Sequence, residues 1–471
     1  MPKTPFLAAC EKTIGTDAVL KDPQLMLPYL TDVRKRFTGR AMAVLFPKST
    51  QEVSQLMRLC TQYRVNVVPQ GGNTGTVLGS VPDKTGHAVV ISLKRMNHIL
   101  GVDPENLTMT VEAGCILDHV RAAARDAGRL FPLSLASSGS CMIGGNLAAN
   151  AGGTAVLRYG TARDLCLGLQ AVLPDGAVYD GLYRLRKNNT GYDLKDLFIG
   201  SEGTLGIITA AVLKLFPLPK GRQTAFVALE SPDDALRLLN LAQGMAQDLL
   251  TTYELISSVS LEVVLAHFPN LKSPLPEKAP YYVLMELSGT QQVQDMQEAL
   301  EAILGAAFDE GMVIDAAIAQ SEAQAQHFWA LRENIAEGQA RSGKNIKHDI
   351  SVPVSQIPRF MAVTDQLLQD AFPGCRMTVF GHLGDGSLHY NVGAPPGITD
   401  DAFLQRQDAV NQVVYDSVAR FHGAISAEHG LGALKHDKNA HYKGDVEMDL
   451  MRRIKGAIDP LGIMNPGKVL P

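Results

Sequence analysis

Glycine placement constrains this chain more than any other feature. Among its 43 glycines, three groups are tightly spaced: Gly71, Gly72 and Gly75; Gly139, Gly144, Gly145, Gly152 and Gly153; and Gly200, Gly203 and Gly206. A residue without a Cβ lets main chain approach another group closely or take positive φ, so each group marks a turn where backbone passes near something. Between them lie short β-branched runs at Val65–Pro69, Ala88–Leu93, Thr108–Val111, Leu169–Leu173 and Leu205–Phe216. Helix-like periodicity appears at Ser49–Tyr63 and Leu117–Ala127. The first 216 residues therefore read as α+β.

After Phe216-Pro217-Leu218-Pro219 the pattern changes. The prolines stop a strand, and amphipathic helices are predicted over Pro232–Leu249 and Gln291–Gly311, with strands at Tyr281–Leu287 and Met312–Ala319. That mixture suits an antiparallel sheet backed by helices, and a length of 471 residues suits two or three domains. The boundaries expected are a helical segment over 1–36, an α+β domain over 37–216, a second domain over 217–457 and a tail over 458–471.

Apolar residues make up 46% and charged residues 19%, which excludes a disordered chain, and a net charge of −5 offers no general attraction for nucleic acid or anionic lipid. The six cysteines (Cys10, Cys60, Cys115, Cys141, Cys166, Cys375) contain no CxxC and read as buried thiols rather than a zinc or iron–sulfur site. No secretion signal and no apolar run of about 18 residues is seen, so the expectation is a cytoplasmic or organelle-matrix protein without a transmembrane segment. Small molecules or other proteins are the expected partners.

Pro69–Gly75 follows an apolar run and contains three glycines, an amide and a hydroxyl. Such a loop can turn several backbone N–H groups on one anion, although an ordinary tight loop would use the same residues. Ser137–Asn146, continuing to Gly153, is a second dense stretch, and two together imply a long ligand bearing a polyphosphate. A Rossmann GxGxxG is absent, which disfavours the usual dinucleotide βαβ site. Gly338–Lys344 satisfies GxxxxGK, but Asn345 stands where a magnesium-holding hydroxyl belongs and no strand precedes it, so the match is read as chance.

The sharpest signal is Gly381–Asn391. Asp385-Gly386 between β-like flanks predicts a two-residue hairpin turn that pairs His382 with His389. Their Cβ atoms would then lie about 4.5 to 5.5 Å apart, from which two imidazoles can share a metal, though a stacked surface pair is the plainer alternative. Glu428-His429, followed by Gly430 and Gly432, is alone a solvated helix end. Joined to the histidine pair, it completes a His₂Glu set with an open position and leaves an adjacent imidazole as general base. Arg332, close to the single Trp329, and Lys347 are either ordinary ion-paired cations or a fork and a point charge for an acidic substrate.

Taken together, Pro69–Gly75, Gly139–Gly153, Gly191–Leu194, Gly200–Ile207, Gly381–Asn391, Ala427–Gly432 and Met464–Lys468 resemble the FAD-dependent D-2-hydroxyacid dehydrogenases. These are the 2-hydroxyglutarate and lactate dehydrogenase-like branch of the vanillyl-alcohol oxidase and p-cresol methylhydroxylase superfamily. The likeness runs from about Arg40 to Pro471. It implies a two-part FAD-binding domain of the p-cresol methylhydroxylase type and a cap domain carrying the substrate site. FAD would be held by Gln70, Gly71, Gly72, Asn73, Thr74, Gly75, Ser138, Gly139, Ser140, Ile143, Gly144, Gly145, Asn146, Asn150, Gly152, Gly153, Gly203, Gly206, Ile208 and Asn465.

Gln70, Gly71 and Gly72 offer no His or Cys for a covalent tether, so the flavin should be non-covalent. The resemblance further implies that His382, His389 and Glu428 ligate a divalent metal, usually zinc, that His429 is the base, and that Arg332, Lys347 and Asn391 contact substrate. The implied reaction oxidises a D-2-hydroxyacid to its 2-oxoacid and passes electrons to an electron-transfer flavoprotein or a quinone; a homodimer is left open. One departure is Ala336, where 2-hydroxyglutarate dehydrogenases can carry Thr, so a hydroxyl donor to a carboxylate is missing. Two other readings are the flavin subunit of a glycolate oxidase-like complex and a non-catalytic flavin- or metal-binding protein.

Overall fold

Why the first half is α+β is visible in the helix Thr50–Tyr63. Its apolar residues Val53, Leu56, Met57 and Cys60 recur at helical spacing and are all buried. Ser49 opens it by accepting the Glu52 N–H, the Glu52 carboxylate returns to the Lys48 N–H, and Arg64 closes it in the left-handed region. The helix links Val44–Leu45 to Asn66–Gln70, and both run parallel to the wholly buried Ala88–Ser92. Val19–Leu20 adds an antiparallel edge, giving a four-stranded sheet. The computed structural model describes residues 3–471.

The chain folds as two compact units. The first comprises residues up to Gly152, Thr161–Pro217 and Glu428–Pro471. Beside the four-stranded sheet it has a five-stranded antiparallel one, ordered Ile99–Asp103, Thr108–Glu112, Ile207–Lys214, Cys166–Val172 and Val178–Gly181. The last segment of the chain adds to the smaller sheet. Val67 N–H donates to Ile463 O at 2.8 Å and Asn465 N–H to Val67 O at 2.7 Å, a parallel bridge beside Asn66–Gln70.

The second unit, Gly153–Gly160 with Leu218–Ala427, is built on an antiparallel sheet. Its main path runs Asp315–Ile318, Gly221–Leu229, Tyr281–Gly289, Leu250–Ser257, Arg376–Gly381, Ser387–Gly393 and Asn345–Ile346, with Asp349–Ser351 also paired to Ser387–Gly393. Helices Pro232–Ala246 and Val293–Asp309 bury the stripes the sequence predicts, the latter through Met296, Leu300, Ile303, Leu304 and Ala307. Phe226, Ile256, Tyr282, Leu284 and Phe328 form the centre of a buried cluster.

Three organisational expectations change. Residues before 37 are not a separate helical segment, because Val19–Leu20 pairs with Val44–Leu45 inside the first unit. The returning segment starts at Glu428 rather than 458, so helices His436–Tyr442 and Asp445–Ile458 belong with the first unit. Gly153–Gly160 joins the second, where Arg158 Nη1 bonds Ser288 Oγ at 3.2 Å and Thr251 Oγ1 at 3.3 Å. The six cysteines are all free and buried. No helix among the described residues is long and apolar enough to cross a membrane.

Candidate active site

The glycines of the first unit divide by what a Cβ would meet. At Gly72 it would lie 2.0 Å from Ser140 O, at Gly144 2.7 Å from the Ala113 Cβ, and at Gly203 3.0 Å from Pro69 Cγ. These glycines let the loops pack on one another. At Gly75 and Gly145 nothing lies within 4 Å, so space is open there.

The two loops also spend their polar groups differently. In the second, the N–H groups of Ser138, Ser140, Ile143, Gly144 and Asn146 are bonded to protein carbonyls. In the first, no protein acceptor meets the N–H of Gly71, Gly72, Asn73, Thr74 or Gly75 among the described residues. Gln70 and Asn73 do not offer their amides. Gln70 Nε2 donates to Tyr29 O (2.9 Å) and Ser80 O (2.7 Å), and Asn73 Nδ2 donates to Pro28 O and Thr31 O while its Oδ1 accepts from Ser80 Oγ. These side chains anchor the loop, with Asn73 at φ 54°, and leave its backbone for an anion.

Two buried amide atoms, Asn146 Nδ2 and Asn465 Oδ1, have no hydrogen-bond partner among the described residues. Asn465 is fixed from its other side, Nδ2 donating to Gly79 O and Glu202 O. Asn150, at φ 50°, accepts the Arg163 N–H; Ile208 is buried in its strand. Unmet loop N–H groups, open glycine positions and two amide atoms without a partner among the described residues fit a pyrophosphate-bearing flavin.

In the second unit the hairpin differs from the expected form. Leu383–Asp385 is a turn of 3₁₀ helix, Gly386 is left-handed at φ 89°, and Ser387 N–H bonds both Asp385 Oδ1 and His382 O. A two-residue turn is thus replaced by a longer connection, which also packs Gly384 against Leu157. The register pairs Phe380, not His382, with His389. Side chains two residues apart share a face, so the histidines still meet: their ring centroids are 5.8 Å apart at 71°.

Arg332, buried at the end of helix Glu322–Glu333, lies over the Phe380 ring at 4.9 Å, and its Nε donates to Glu254 Oε2 at 2.6 Å. The other oxygen of Glu254 is 2.6 Å from His382 Nδ1. Burial pushes the Glu254 carboxyl upward, but Arg332 and then His382 outweigh it and hold the group at about 2. Glu254 went unnoticed in the sequence, where it is one acid in the run Leu250–Ser257.

The remaining residues are placed as follows. Asn391 is buried with its amide committed to the protein, accepting the His348 N–H and donating to Gln339. Lys347, partly buried, links Asn345–Ile346 to Asp349–Ser351. Ala336 is exposed and lies past the helix break at Asn334, so helical spacing does not carry it onto the Arg332 face. Gly338–Lys344 is helix and turn, with Lys344 Nζ on Asp401, not a phosphate loop.

Glu428 follows Ala427 directly. His382 and His389 offer ligand atoms from the second unit, and Glu428 and His429 open the returning segment of the first. His429 Nε2 is 3.7 Å from Glu428 Oε1. Asp349, a Cα partner of His389 across the sheet, was not singled out by its sequence context. Two imidazoles and a carboxylate suit a divalent ion such as zinc.

This architecture defines an FAD-linked oxidoreductase class. The FAD binding domain family matches residues 41–181, and the family of FAD linked oxidases, C-terminal domain, matches 218–469. Similar proteins are the mitochondrial D-2-hydroxyglutarate dehydrogenases of Arabidopsis thaliana, 38% identical over 98% of this chain and 80% of that protein, and of Bos taurus, 38% over 99% and 83%. The D-2-hydroxyglutarate dehydrogenase of Xanthomonas citri pv. viticola is 38% identical over 99% of this chain and 97% of its own length. In fold the chain is similar to p-cresol methylhydroxylase with substrate bound (TM-score 0.76, 18% identity, 99% and 96% covered) and to 4-ethylphenol oxidase from Gulosibacter chungangensis (0.76, 20%, 99% and 97%). The chain belongs to the FAD-linked oxidases, in the branch that contains the D-2-hydroxyglutarate dehydrogenases.

Proposed function

We propose that this enzyme oxidises a D-2-hydroxyacid to its 2-oxoacid, using non-covalent FAD and one divalent ion held by His382, His389 and Glu428. The observation that carries the reading is the His382–His389 pair, ring centroids 5.8 Å apart within the second unit, to which Glu428 is the expected carboxylate, with the His429 imidazole next in the chain. The Arg332 guanidinium bonds Glu254 only through Nε among the described residues, which leaves its two Nη groups to take a substrate carboxylate as a fork. Lys347 adds a second cation, and Asn391 holds the strand that carries His389.

When bound, FAD supplies the hydride acceptor and the ion supplies Lewis-acid polarisation of the 2-hydroxyl. His429 Nε2 takes the hydroxyl proton. Arg332 and Lys347 orient the acid before that transfer, so their effect falls mainly on substrate binding. Electrons then pass to a separate acceptor, an electron-transfer flavoprotein or a quinone.

Relatives named for D-2-hydroxyglutarate support that substrate, with D-lactate the smaller D-2-hydroxyacid to compare against it. Anaerobic mixing with a panel of D- and L-2-hydroxyacids tests the reading: flavin absorbance should bleach with one or more D-acids and not with the L-enantiomers. Failure of every acid to bleach it would overturn the proposal.

A further inference from the structure

Glu254 sits in a strand whose eight residues, Leu250–Ser257, are all buried, and its own exposure is 1%. Enclosing a carboxylate this deeply costs several kcal/mol unless its oxygens are met by cations or donors. Both are met, by different partners: Oε2 by Arg332 Nε and Oε1 by His382 Nδ1, each at 2.6 Å.

From this geometry we propose that Glu254 is a positioning residue that couples the carboxylate-binding fork of Arg332 to the metal-ligating nitrogen of His382. The proposal rests on the roles given to those two residues above. An Nδ1–H donated to Glu254 fixes the imidazole tautomer and directs Nε2 to the ion. The bond from Nε fixes the guanidinium plane against Phe380 and so sets where the two Nη groups point. Because one rigid carboxylate serves both, a shift that improves one contact is felt by the other. By reciprocity, occupancy of the metal site should tighten binding of the acid, and the acid should tighten the metal.

Glu254→Gln keeps the side-chain size but can accept from only one of the two partners at full strength. In the FAD-loaded enzyme, zinc affinity is read by competition with a chromophoric chelator, and KM is read separately from kcat. The expected result is a loss of zinc affinity of about 10- to 100-fold together with a rise in KM of about 10-fold, 1.4 kcal/mol by conversion. FAD content should stay unchanged.

Zinc affinity and KM both within twofold of wild type would overturn the proposal, and so would a fall in one with no change in the other. Should Glu254→Gln not fold, Arg332→Lys decides. It retains the charge but not Nε, and the proposal requires its zinc affinity to drop several-fold although residue 332 is not itself a ligand; unchanged affinity would overturn it. His382→Ala separates the two levels. If that variant keeps its zinc, the metal reading itself fails, whereas loss of zinc there with normal Glu254→Gln behaviour removes only the role of Glu254.

Discussion

In the Gly71–Gly75 loop the main chain is what is left for a ligand, because side chains such as Gln70 and Asn73 are spent on holding the loop in place. In the Gly381–Gly393 hairpin the arrangement is reversed: main chain sets a register, and the proposed chemistry would fall to the side chains of His382 and His389, with the buried Glu254 behind them. A backbone site is tolerant of its side chains but intolerant of added Cβ atoms. A side-chain site is the opposite, so the two regions should fail in different ways when disturbed.

The largest effect expected is on the side-chain site. Treatment with a strong chelator should abolish turnover while the flavin spectrum, which depends on the first unit's loops, stays intact. Full activity after chelation, with elemental analysis finding no metal, would break the comparison at once. His429→Ala follows, with kcat falling by a factor of about 10² to 10⁴ while metal and FAD are retained, because a base acts in the transition state. If His429→Ala loses its metal while His382→Ala keeps wild-type turnover, base and ligand have been assigned in reverse.

The backbone site should respond to glycine changes in the opposite pattern. Gly72→Ala places a Cβ 2.0 Å from a carbonyl oxygen, so about 1 to 3 kcal/mol of stability should be lost and FAD released more readily. Gly75→Ala meets nothing within 4 Å and should melt like wild type, with any change confined to FAD affinity in a flavin titration. Equal melting temperatures for Gly72→Ala and wild type would mean that the two loops can part without cost.

The same division explains what could be read from the sequence. Glycine clusters and the helix stripes of Thr50–Tyr63 and Val293–Asp309 are local patterns, and the structure has them within a few residues of the expected limits. His382 and His389 were legible as a pair because the register moved by two residues, from His382 to Phe380 opposite His389, and an even shift keeps both on one face, although the predicted two-residue turn did not form. Glu254 was not legible. It lies more than a hundred residues before His382, and what marks it out is an antiparallel pairing of Leu255–Ile256 with Phe380–Gly381 that no local pattern announces. The early return at Glu428 was hidden for a similar reason: its ties, Leu431 and Gly432 N–H to Glu202 at 2.7 Å each, join distant parts of the chain.

A last and smaller test sharpens the comparison within the second unit, between two buried acids on adjacent strands. Glu254 has a buried guanidinium and an imidazole N–H as close partners and is held low, whereas Glu286 is raised. Burial is the main cause for Glu286. Trp329 Nε1 (2.9 Å) and Thr224 Oγ1 (3.1 Å) both bond its Oε2, but its cation, half-exposed Arg222, stands 3.6 Å from Oε1 and is weakened by solvent. An acid whose folded pKa is raised destabilises the native state when ionised. That cost is present above the folded pKa and disappears as pH falls below the unfolded value of about 4.3. Glu286→Gln keeps an acceptor for Trp329 and Thr224 and removes the charge. Its melting temperature should therefore exceed that of wild type near pH 7, and the advantage should shrink steadily as the pH is lowered toward 4. A variant less stable than wild type at pH 7 would show that Arg222 outweighs burial after all, and that a single exposed cation suffices where Glu254 has two buried partners.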